Sequence, residues 1–160
     1  MFALEFGFHN NLQAYLLMGV VTEMRSGLLI RGHRGAEEVK VALIRFAKWI
    51  RTKYDFPIRV PVYLLRRPYV ITIDGKKVSA SFFAPFDLNT EPYIRIATGD
   101  YNKIKIERGR DNALASYIIS LSHEIIHYQQ WIKTGKTWEK GVLQQAQSIL
   151  NEYMWVVDYP

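Results

Sequence analysis

Residues 111–132 run without a proline or a glycine, and Leu114, Ile118, Leu121 and Ile125 recur along them at the spacing of one helical face. Such a run demands a helix with one buried side, so the rest of the chain must supply elements that cover it. Asp111 stands at its start as a capping residue. Inside the helix lies Ser120-Leu121-Ser122-His123-Glu124-Ile125-Ile126-His127, the pattern H-E-x-x-H. A helix turns once every ~3.6 residues, so His123 and His127 share a face with Cβ atoms roughly 5–6 Å apart. Two imidazoles placed this way can converge on one Zn²⁺ at about 2.0–2.1 Å each. Glu124, one step round the helix, can reach a water on the metal without being a ligand. Zinc lowers the pKa of such a water to about 7, and a neighbouring carboxylate can take its proton and pass it to a leaving amine. Ser116 and Ser120 are small and leave room on the histidine side. A single histidine would be an ordinary surface or core residue; the joint spacing on a helix is what points to a metal.

Composition narrows the ligands. The chain has 160 residues, 49% hydrophobic and 22% charged, which fits one soluble globular domain over 1–160. It has no cysteine, which excludes disulfides, thiolate-bound zinc and thiol catalysis and leaves histidine and carboxylate ligands. Met1-Phe2-Ala3-Leu4-Glu5 has no basic leader and no small-x-small cleavage pattern, so a soluble cytoplasmic protein is expected. The apolar stretch 14–21 is too short to span a bilayer, and no membrane partner is expected. A net charge of +6 leaves contact with nucleic acid open.

In chain order, Asn10 and Asn11 can cap a helix over 12–25, with Leu12, Leu16, Val20 and Met24 on one face. Residues 1–35 then form an N-terminal helical extension. Arg31-Gly32-His33-Arg34-Gly35 reads as a basic loop, either a solvated linker or a phosphate contact. Residues 36–54 form an amphipathic helix that buries Val39, Leu43, Phe46, Ala47 and Ile50, with Glu37 and Glu38 in its first turn. Its outer face carries Lys40, Lys48, Arg51 and Lys53. Strands are expected over 58–65, 69–73, 77–83 and 93–97, with Pro61 placing the first at a sheet edge or a strand end. Asp74-Gly75 marks a hairpin. Residues 101–110, rich in Lys103, Lys105, Arg108 and Arg110, link the sheet to the motif helix. Beyond Gly135, Thr137 can cap a final helix over 138–155, with Val142, Ala146, Ile149 and Tyr153 on one stripe. The fold class is α+β: N-terminal helices, a small mostly antiparallel sheet, the motif helix, then a packing helix.

A catalytic zinc needs a third protein ligand and an open position. The carboxylates downstream are Glu139, Glu152 and Asp158, and no histidine follows His127. In a tight helical hairpin about Gly135 the level of the metal would face Gln144, Gln145 or Ser148. Glu139 requires the motif helix to end near Trp131 or the helices to cross steeply; Glu152 requires the opposite shift. Residues 121–153, with the motif helix, a short Gly-containing break and a second helix, resemble the active-site half of a minimal gluzincin-type zinc metallopeptidase. The wider order of amphipathic helix, small sheet and H-E-x-x-H helix is similar to the SprT-like group and to small metallopeptidase-like proteins of phages and mobile elements. The resemblance implies a zincin-like fold and one catalytic Zn²⁺. Gluzincins take the third ligand as a Glu on the helix after the motif, SprT-like proteins as a His at its start. Glu139 stands at the matching place, with Glu where the SprT-like pattern has His, and is preferred over Glu152.

The expectation is a zinc metallopeptidase with His123, His127 and Glu139 as ligands and Glu124 as general base and acid. Its substrate would be a peptide or protein docked as an added strand. Tyr153, Tyr128, His33 and Arg108 have side chains able to stabilise an oxyanion. The alternatives are a basic nucleic-acid-associated module keeping the fold as a scaffold, and a SprT-like protease acting on DNA-bound proteins. A third is a partner-activated form with residues 1–30 over the cleft.

Overall fold

The computed structural model describes residues 25–32, 35–86 and 90–157. His33, Asp158 and residues 1–24, with nearly all of the helix expected over 12–25 and of the segment considered as a cover, lie outside the described residues.

Leu28-Leu29-Ile30-Arg31 forms a strand, β1 (Leu28–Arg31), inside the stretch 1–35 expected as a helical extension with a basic loop from Arg31. Four residues beside a glycine are too few to show a period. Helix α1 (Glu37–Ile50) follows and buries Val39, Leu43, Phe46 and Ile50 completely. Each of these side chains is worth about 1.5–3 kcal/mol of burial, which is what ties α1 to the sheet. Strand β2 (Val60–Leu65) then lies parallel to β1, completing a β-α-β unit.

Strands β3 (Val70–Ile71) and β4 (Lys77–Val78) form the hairpin expected at Asp74-Gly75, with Gly75 at φ +81°. The run expected as one strand over 77–83 is divided at Ser79. Its second half is β5 (Ala80–Phe83), which leaves the hairpin and pairs antiparallel with β6 (Tyr93–Ala97). The main sheet has the order β1-β2-β6-β5. It is mixed rather than mostly antiparallel, because β1, β2 and β6 run parallel and only β5 is reversed. The β1 strand, unseen in the sequence, and the parallel pairing of β2 with β6 account for that difference.

Pro61 sits in an inner strand but at its start, as the second residue of β2, so of the two positions expected for it the strand end holds and the sheet edge does not. The amide of Val60 donates to Gly27 on the β1 side at 2.9 Å. Strand alternation therefore turns the nitrogen of Pro61 towards β6, where pairing begins one residue later at Val62. No ladder bond is lost.

The segment expected as a linker contains helix α2 (Tyr101–Arg108), whose one buried residue is Tyr101, so it carries no apolar stripe to read. Gly109 starts the motif helix α3 (Arg110–Thr134); Asp111 makes no cap and instead pairs with Arg110 at 3.1 Å. The final helix is α4 (Val142–Val156). Helix α3 packs against α1, α2, α4, β5 and β6, and Leu114, Ile118, Leu121 and Ile125 are fully buried in that interface. Val60, Val62, Ile94 and Ile96 supply the sheet side of the same core. No helix among the described residues is long and apolar enough to cross a membrane.

Candidate metal centre

The rotation of α3 is fixed from behind. Besides the buried stripe, the Tyr128 hydroxyl donates to the carbonyl of Ile58 at 2.5 Å and accepts from the amide of Ile58 at 3.1 Å. That double bond to the chain entering β2 leaves His123 and His127 facing the opposite way, into a cleft of about 470 Å³ beside β5. Their Nε2 atoms approach to 3.1 Å.

Glu139 closes the set. Its carboxylate oxygens lie 3.0 Å from His127 Nε2 and 3.2 Å from His123 Nε2. A tetrahedral zinc with ligands at about 2.0–2.1 Å needs donor atoms roughly 3.3 Å apart. The three side chains thus fit a small divalent cation, and they are the one group of this kind among the described residues. Glu139 reaches this position by a route different from that expected. Helix α3 runs on to Thr134, and α4 begins only at Val142, so neither Thr137 nor Glu139 is helical. Residues 135–141 form an arc that returns along α3, between Gly135 at φ 72° and Gly141 at φ 80°. An arc can set a side chain back beside an earlier turn without the helix crossing that geometry otherwise demands.

Within the arc, Thr134 Oγ1 accepts from the amide of Lys136 at 3.1 Å, and the amide of Val142 donates to Glu139 at 3.1 Å. The side chain of Gln130, three residues beyond His127, meets both His127 and the amide of Trp138. The sequence reading passed over Gln130. Its signal was a polar residue on the histidine face, one turn past the motif.

Burial and the neighbouring imidazole of His127 both lower the pKa of His123, favouring the neutral ring that a metal requires. Glu124 is 7% exposed. Burial, with a smaller push from Glu139, raises its pKa to about 8, while a hydrogen bond from the backbone of Phe82 opposes the rise. That bond joins the carboxylate to β5. Ala97 donates to the carbonyl of Ser79 at 2.9 Å, so alternation puts the backbone polar groups of Ala80 and Phe82 on the free edge of the sheet, facing the cleft.

The other expected residues are elsewhere. Glu152 pairs with Lys53 at 2.5 Å. Tyr153 is buried against Phe46 and Trp49, and the Tyr128 hydroxyl is taken by Ile58. Arg108 ends α2 and does not border the cleft. Among the described residues of this group, none offers an oxyanion donor at the cleft; the hydroxyl-bearing residues there are Thr72, Ser79, Ser81, Ser120 and Thr137. No protein-family model matches the chain, and no curated protein or solved structure matches it either.

Proposed function

We propose that this protein is a zinc-dependent peptidase of zincin-like design, with His123, His127 and Glu139 holding one Zn²⁺ and Glu124 serving as general base and then general acid. The observation that carries this reading is the sharing of one cleft by three convergent metal-binding atoms, a buried carboxyl group and an open strand edge. Bound zinc would polarise a substrate carbonyl and acidify a water at that point.

The chain's own residues do the rest. The rings of His123 and His127 direct Nε2 into the cleft. Glu124 accepts a proton from the attacking water and returns it to the departing amine, and burial strengthens its hold on that proton relative to an ordinary carboxylate. The outward backbone groups of Ala80 and the carbonyl of Phe82 can pair with an extended peptide, holding its backbone across the histidines. Ile119, Leu143 and Phe82 line the cleft as apolar walls on which substrate side chains can pack.

The basic surface gives weaker support to the nucleic-acid readings. Lys105 and Arg110 both pair with Glu38 at 2.7 Å, so half of the basic residues singled out over 101–110 are engaged within the fold. The test is zinc content per chain together with hydrolysis of an unstructured protein such as casein. The parent should carry one zinc and cleave, Glu124→Gln should carry zinc without cleaving, and His123→Ala should do neither. A Glu124→Gln protein that cleaves like the parent overturns the mechanism.

A further inference from the structure

Gln130 lies on α3 with 6% of its surface exposed, and its Oε1 atom has two neighbours. His127 Nδ1 is 3.1 Å away, and the backbone amide of Trp138 is 3.0 Å away. An amide oxygen has two lone pairs and donates nothing, so both contacts run in one direction. The imidazole must carry a proton on Nδ1, so its neutral form presents the lone pair of Nε2 to His123 and Glu139. The second lone pair receives the arc at the residue just before Glu139.

We infer that Gln130 is the positioning residue of the metal centre: one amide oxygen selects the tautomer of His127 and anchors the arc that delivers Glu139. The inference rests on the metal-centre reading above and adds a residue that touches no metal to it. Its physical content is preorganisation. Without the Trp138 anchor, Glu139 hangs on an exposed arc, and the metal must supply the cost of ordering it. Without the Nδ1 acceptor, both tautomers of His127 are open to the ring, and one of them presents a proton to the cation. Partners of this kind behind a metal-bound histidine typically change metal affinity by about 10–100-fold.

The arc has its own supports at Thr134 and Gly135, which hold its start near α3. Gln130 is the side chain that ties its middle to the histidine. This accounts for a buried amide on a helix whose inward positions are otherwise apolar or part of the motif, Ser122 apart.

The test compares Gln130→Met, which keeps the length and loses the acceptor, with Gln130→Glu, which keeps the acceptor. Zinc dissociation constants are measured by competition with a fluorescent chelator. Trypsin cleavage at the exposed Lys136 and Lys140 is followed in the metal-free proteins. The expected result is a 10–100-fold weaker zinc affinity and faster cleavage in the arc for Gln130→Met, about the range such partners command, with Gln130→Glu within about threefold of the parent on both readouts. If Gln130→Met binds zinc as tightly as a zinc-binding parent, the inference is overturned and the metal centre stands. Equal losses in both variants overturn it in favour of packing alone. A parent that takes up no zinc overturns the metal centre itself, and this inference with it.

Discussion

The two sources of the candidate metal-binding set are built on opposite principles. His123 and His127 belong to a long helix whose reverse face is wholly buried and whose register is locked by Tyr128 on Ile58. Glu139 belongs to the arc 135–141, and its side chain is 76% exposed. The helix positions its ligands through packing that exists with or without a cation. The arc positions its ligand through a few hydrogen bonds and two left-handed glycines. Damage to the helix should therefore be all-or-none, and damage to the arc graded.

The largest effect should come from separating the proton-transfer group from the ligands. Glu124→Gln is expected to lower the hydrolysis rate by about 10²–10⁴-fold while zinc affinity stays within about threefold, read from steady-state cleavage and chelator competition. Next, His127→Ala should abolish zinc uptake at micromolar metal. Glu139→Ala should leave a two-histidine site that still binds, at least ~10²-fold more weakly, by isothermal titration. Equal, complete losses in the two variants would erase the distinction between helix and arc.

A pH experiment probes chiefly the helix, since burial on it is the main cause of the Glu124 shift and Glu139 the smaller one. The carboxyl group of Glu124 titrates near 8 in the folded chain against an ordinary value of 4.5, so the folded state binds the proton more tightly. Its contribution to stability is complete below the ordinary value and is lost as pH rises through about 8. Denaturant unfolding of the metal-free protein should show a few kcal/mol, roughly 3–5, lost between about pH 4.5 and pH 8. Glu124→Gln should flatten that slope. The smallest effect belongs to the arc: Gly141→Ala forces a side chain into a positive-φ conformation and should cost about 1 kcal/mol, seen as a few-fold weaker zinc affinity.

What the sequence made legible follows the same division. The α3 stripe and the histidine spacing are local and periodic, so they could be read without knowing any partner. Glu139 could be named by residue type, but not placed. Thr137-Trp138-Glu139 imitates a helix start, whereas the left-handed turn that opens α4 lies at Gly141, two residues beyond Glu139. Gln130 stayed hidden because its value depends on Trp138 folding back, a non-local event. Strand β1 was missed for brevity, and with it the parallel pairing that puts Pro61 inside the sheet.

The hydrogen bond between Phe82 and Glu124 also bears on how molecules of this protein meet one another. An unpaired strand border is a template on which a second chain can polymerise, and β5 carries two adjacent phenylalanines that would favour such growth. Giving one of its outward amides to a side chain of the same molecule interrupts that template. The polar groups of Ala80 and the carbonyl of Phe82 stay outward, but the break at the Phe82 amide works against the long continuous ladder from which fibrils grow.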